Sequence, residues 1–227
     1  MAELIVALDF PDAPSAIALL DQLPDGCAVK VGSVMIARTG AGFVRGLVMA
    51  GHPVFLDSKW HDIPNTVAGA CNAAADLGVE MVTVHAAGGE AMLRAAVDAA
   101  AGRIKIVAVT VLTSHDATSY AAVTGRDQLN LADEVARLAE LAMAAGVDGI
   151  VCSPNEIARL RPIVGRGRIV VPGIRRPDDA LGDQARVATP EMAVGAGATH
   201  LVVGRPITEA TDPANAYAGF VVAMLSS

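Results

Sequence analysis

The chain has 227 residues, 53% of them hydrophobic and 18% charged, a balance that supports a large core and excludes a disordered chain. A net charge of −7 excludes the basic face needed for non-specific nucleic-acid binding, and no apolar run reaches the roughly 18–20 residues of a membrane span. Cys27, Cys71 and Cys152 are scattered without metal-ligand spacing, as expected of a reduced, cytoplasmic protein, and MAELIVALDF lacks the basic leader of a signal peptide.

In chain order, short β-branched runs predict strands at LIVAL (4–8), CAVKV (27–31), PVFLD (53–57) and EMVTV (80–84). Further strands are predicted at IKIVAVTVL (104–112), GIVCS (149–153), RIVV (168–171) and HLVV (200–203). Ala- and Leu-rich segments between them predict helices, most clearly at 12–22, 33–50, 64–77, 89–101, 128–145 and 212–225. Gly51, Gly78, Gly102 and Gly146 stand where left-handed residues would close four of the helices. The strands are apolar almost throughout, as in a parallel sheet covered on both faces. Eight strands alternating with helices predict a single-domain (β/α)8 barrel over 1–227, a fold of about 250 residues. An open doubly wound sheet fits less well, because LIVALDFPDAPS has no glycine-rich turn after the first strand.

Barrel enzymes carry their chemistry at the C-terminal ends of the strands. Here those ends offer Asp9, Lys30, Asp57 with Lys59, His85, Thr113 with Ser114, Ser153, Gly173 with Arg175, and Gly204 with Arg205. Taken singly, Asp9 reads as a helix cap, Lys30 as a snorkelling edge residue and His85 as a core histidine. His52, His61, His115 and His200 read as polar surface or loop positions. Their joint occurrence is what calls for chemistry. Asp57 and Lys59 are two apart and on an extended chain point to one side, with Lys30 on the neighbouring strand. A buried ammonium needs a partner, and opposite charges 4 Å apart attract by about 4 kcal/mol at an effective dielectric near 20. Alternating carboxylates and ammoniums would hold protonated lysines rigidly, ready to donate. The glycines and arginines after strands seven and eight suit a phosphate, with RRPDDALGDQAR (175–186) as a lid.

The chain resembles the orotidine 5'-phosphate decarboxylase family over nearly its whole length. The resemblance is carried by VALDF (6–10), VKVG (29–32), FLDSKWHDIPNTV (55–67), VTVHAAGG (82–89), VTVLTS (109–114), GVDGIVCSPNE (146–156), VPGIR (171–175), DQARVATP (183–190) and VVGRPIT (202–208). Ser58 and Trp60 depart from the family's more usual residues, but both lie between the charged positions. The resemblance implies loss of carbon dioxide from orotidine 5'-phosphate, giving uridine 5'-phosphate, without metal or organic cofactor. It implies that Lys59 protonates the ring carbon, that Asp57 lies beside the substrate carboxylate, and that Lys30 holds the array and contacts the ribose. Asp9 would bind a ribose hydroxyl. Arg175, Gln184, Gly204 and Arg205 would contact the phosphate and lid, and Thr113 the pyrimidine. Asp62, with Ile63 and Thr66 beside it, would complete the site of a partner subunit, which implies a homodimer. The related Mg²⁺-dependent keto sugar phosphate decarboxylases share DxKxxD but carry a glutamate where this chain has Lys30, which would repel the cation. A non-catalytic phosphate-binding barrel would leave Lys30, Asp57 and Lys59 without a task.

Overall fold

A computed structural model describes residues 2–176 and 188–226. Eight parallel strands close into a barrel in sequence order: β1 (Glu3–Ala7), β2 (Ala28–Gly32), β3 (Val54–Trp60), β4 (Met81–His85), β5 (Lys105–Val109), β6 (Gly149–Val151), β7 (Arg168–Val171) and β8 (His200–Val203). The ring closes where β8 pairs with β1, Leu4 facing Leu201 and Val6 facing Val203. Every predicted strand is present.

Apolar residues divide between two cores because neighbouring residues of a strand point to opposite faces. Ile5, Ala7, Ala28, Phe55, Met81, Val107, Val170 and Val202 fill the barrel interior. Their sequence neighbours, such as Val6, Val29, Leu56, Val82 and Ile106, pack outward against the helices.

The helical shell is α1 (Ala13–Leu20), α2 (Ser33–Met49), α3 (Pro64–Leu77), α4 (Gly89–Ala100), α5 (Ala117–Thr124), α6 (Leu131–Ala144), α7 (Ile157–Val164), α8 (Pro190–Gly195), α9 (Arg205–Thr208) and α10 (Pro213–Leu225). The six most clearly predicted helices all occur. The segment at 33–50 is broken, however, because Gly40 takes φ 68° inside α2. α3 begins on a proline whose missing N–H costs a first turn nothing, and it ends at left-handed Gly78. α7 carries Pro162 in its interior, and α5 is a short helix held by a reciprocal cap between Asp116 and Ser119. Both lack the long apolar stripe by which a helix is read from sequence. No helix among the described residues is long and apolar enough to cross a membrane.

Two strands, β5 and β3, end three residues away from where they were expected. β5 stops at Val109 rather than 112, and the Thr110 hydroxyl turns to donate to the Val151 carbonyl at 3.3 Å. β3 runs on through Lys59 to Trp60, which packs half-buried against the outer core.

Candidate active site

Register explains how the charged residues meet. Ala7 pairs with Lys30, Lys30 with Phe55, and Gly32 with Asp57. Phe55 faces the barrel interior, so Asp57, two residues on, faces it too, one layer nearer the mouth. Lys30 points the same way, and Asp9 follows two residues after β1 ends.

The outcome is an alternating chain of charge within one subunit. Lys30 Nζ stands 3.0 Å from Asp9 Oδ1 and 3.7 Å from Asp57 Oδ2, and Lys59 Nζ donates to Asp57 Oδ2 at 2.7 Å. Lys30 and Asp57 are buried, while Lys59 and Asp9 reach the cavity with side chains 37% and 59% exposed. Burial raises the Asp57 carboxyl, but Lys30, Lys59 and a hydrogen bond from Thr83 together outweigh it and hold the carboxyl below its usual range. Asp57 is therefore a carboxylate at neutral pH.

The geometry differs from the expected one at Lys59. The backbone there is not extended but left-handed, with φ 51°. Lys59 reaches Asp57 because β3 bulges, shifting register against β4 between Leu56 and Trp60.

The four charged residues line one side of a cavity of about 620 Å³. Thr113, Gly173, Arg175, Gly204 and Arg205 line the same cavity. Its floor is apolar, made of Ala7, Phe55, Val109, Val170 and Val202 among others. Gly173 is required by its backbone, which takes φ 77°. Gly204 is not left-handed, and a Cβ there would meet only Ala7, at an ordinary 3.6 Å. Arg175 is buried and donates to the neighbouring Ile174 carbonyl at 2.8 Å.

Asp62, Ile63 and Thr66 do not join this cavity. They lie exposed between β3 and the first turn of α3, where Asp62 Oδ1 accepts from the Ile63 N–H at 2.6 Å. Gln184, with most of the stretch 175–186, lies outside the described residues. Ser153 is buried in a reciprocal cap with Glu156, and neither it nor Ser114 lines the cavity. His85 ends β4 but is not among the residues lining the cavity, and its ring lies 5.5 Å from that of His61. His200 corrects the sequence reading. It is no surface residue but lies buried in β8, with Nε2 3.4 Å from Glu3 at the opposite end of the barrel.

Two contributors escaped sequence reasoning. Gly32 leaves room for the Lys30–Asp9 pair, since a Cβ there would stand 3.1 Å from Lys30 Nζ and 3.2 Å from Asp9 Oδ1. Thr83 is fully buried, and its hydroxyl donates to Asp57 Oδ1 at 3.0 Å. The only signal in the sequence was a hydroxyl residue in an otherwise apolar strand, on the inward parity of Met81. Among the described residues no group of three or more His, Cys, Asp or Glu side chains is arranged to hold a metal ion.

The sequence and the fold have close counterparts. A model of the orotidine 5'-phosphate decarboxylase / HUMPS family matches residues 2–220. The orotidine 5'-phosphate decarboxylase of Halorhodospira halophila is 55% identical over 224 residues, covering 95% of this chain and 92% of the relative. That of Alkalilimnicola ehrlichii is 51% identical over 222 residues, covering 96% and 94%. The crystal structure of orotidine 5'-phosphate decarboxylase from Lactobacillus acidophilus superimposes with a TM-score of 0.88 at 36% identity, covering 99% of each chain. With half its residues shared along nearly its full length and the same barrel beneath them, the chain belongs to the orotidine 5'-phosphate decarboxylase family.

Proposed function

We propose that the protein converts orotidine 5'-phosphate to uridine 5'-phosphate in the cytoplasm, using its own side chains without metal or organic cofactor. The observation that carries this reading is the Asp9–Lys30–Asp57–Lys59 alternation lining one cavity together with Arg175 and Arg205. An anionic nucleotide with a carboxylate at one end and a phosphate at the other fits that distribution. Lys30 stands between Asp9 and Asp57, and its ammonium would repel a divalent cation from the two carboxylates.

In this mechanism the bond between ring carbon C6 and the carboxylate carbon breaks, and its electron pair stays on C6 as carbon dioxide leaves. Lys59 Nζ gives a proton to C6 and is left as the neutral amine, which then takes a proton from water to restore the ammonium. An ammonium held against Asp57 meets charge that develops only as carbon dioxide departs, which is where stabilisation raises the rate. Asp57 presses a like charge on the substrate carboxylate, a contact relieved by its loss. Asp9 and Lys30 take the ribose hydroxyls, Thr113 the pyrimidine, and Arg175, Gln184, Gly204 and Arg205 the phosphate. Phosphate binding remote from C6 helps organise the reacting end.

The active form is a homodimer in which Asp62, Ile63 and Thr66 enter the partner's site. In support, these residues lie exposed beside Lys59 without serving their own cavity, and Ile63 is an apolar side chain left 67% exposed. Loss of orotate absorbance when the purified protein meets orotidine 5'-phosphate in excess EDTA tests the reading. Rapid loss is expected. Activity confined to a keto sugar phosphate with added Mg²⁺ would overturn it.

A further inference from the structure

β3 and β4 run in step from Phe55 opposite Met81 to Leu56 opposite Val82, and the next matched pair is Trp60 opposite Val84. Asp57, Ser58 and Lys59 therefore stand against a single residue of β4, Thr83. A bulge of this kind interrupts the ladder and leaves backbone groups without a strand partner. The Lys59 N–H is one such group, and it donates to Thr83 Oγ1 at 2.8 Å. The hydroxyl proton goes on to Asp57 Oδ1 at 3.0 Å. Both lysines approach the other carboxylate oxygen, Oδ2.

One side chain thus holds both members of the reacting pair. By taking Oδ1, Thr83 fixes the rotation of the carboxylate and aims Oδ2 at Lys59. By accepting from the Lys59 amide, it anchors a backbone that an L-residue adopts only when its surroundings enforce it. Threonine suits the task because a β-branched side chain has few χ1 choices and Thr83 is fully buried.

We propose that Thr83 is a positioning residue for decarboxylation, its hydroxyl setting where the Lys59 ammonium stands relative to the reacting carbon. The inference rests on Lys59 being the proton donor. Thr83→Val keeps the shape and removes the hydroxyl, whereas Thr83→Ser keeps the hydroxyl. Measured per folded molecule, Thr83→Val is expected to lower kcat about 100-fold with KM within about two-fold, since a small misplacement of reacting groups costs that much. Thr83→Ser is expected to restore kcat to within about five-fold of the parent. A residue serving the fold alone would lower Tm and the folded fraction and leave kcat per folded molecule unchanged. That result overturns the inference, as does a serine variant no better than valine. Should Thr83→Val not fold, Thr83→Ala at low temperature takes its place; if neither folds under any condition, the hydroxyl serves folding and the inference fails. A parent enzyme that leaves orotidine 5'-phosphate untouched overturns the proposed function itself, whereas parent turnover with full kcat in Thr83→Val overturns this inference alone.

Discussion

Lys59 and Arg205 illustrate two kinds of binding energy in one cavity. Lys59 is held by Asp57 at 2.7 Å and, in the proposed mechanism, has its task only as charge develops on the substrate. Arg205 is exposed at the start of α9 and lines the cavity; as the proposed phosphate contact it would have its task from the moment substrate binds. Arg205→Ala is therefore expected to raise KM for orotidine 5'-phosphate about 100-fold, the scale of a lost charge-assisted contact, while turnover of the phosphate-free nucleoside stays unchanged. Steady-state kinetics on both substrates checks this. An equal loss on both would remove Arg205 from the phosphate site.

Between elements, one close approach lies where β6 meets β7. A Cβ on Gly149 would stand 2.2 Å from the Arg168 carbonyl oxygen and 2.6 Å from the Arg168 Cβ. Neither neighbour is a flexible tip that can swing aside, and Gly149 pairs directly with Arg168 in the ladder. Gly149→Ala must push the two strands apart and is expected to destabilise the barrel by about 3 kcal/mol, read as a fall in Tm. A melting curve that does not move would show that the strands slide at little cost.

Across the whole molecule, the two ends of the barrel divide the work: chemistry at one, stability at the other. His200 is buried at the latter, beside Glu3 and Thr199. Burial, aided by the Arg168 guanidinium, holds its pKa down to about 4, and burial likewise raises Glu3 rather than leaving a firm ion pair. The unfolded histidine takes up a proton near pH 6.5 and the folded one only near 4, so this contribution is complete above pH 6.5 and is lost as the pH falls through that window. The loss is expected to approach about 3 kcal/mol by pH 4, and His200→Gln should flatten it in denaturant titrations across that range. The proposed dimer is tested at the same scale. Lys59→Ala and Asp62→Ala should each be inactive alone. Mixed and reassorted, they should recover about a quarter of parent activity, because half the dimers are then mixed and each has one intact site. No recovery would place Asp62 outside the partner's site.

By itself the sequence determined the barrel, because eight apolar strand runs alternating with helical segments admit few other layouts. The same pattern puts the charged residues at strand ends, and so on one face of the molecule. The tertiary structure decided what depends on register and close approach. Asp57 and Lys59 were read as neighbours on an extended strand; they meet instead through a bulge at a left-handed lysine. Thr83 was invisible because its role comes from lying opposite that bulge, and strand register is set by packing around the whole ring. His200 reads as a polar surface or loop position because a histidine after threonine, at the very start of a strand, gives no sign of burial; only closure of β8 onto β1 encloses it. Periodicity along one chain specifies which face a residue takes. Which residues of distant segments then touch is fixed only when the barrel closes.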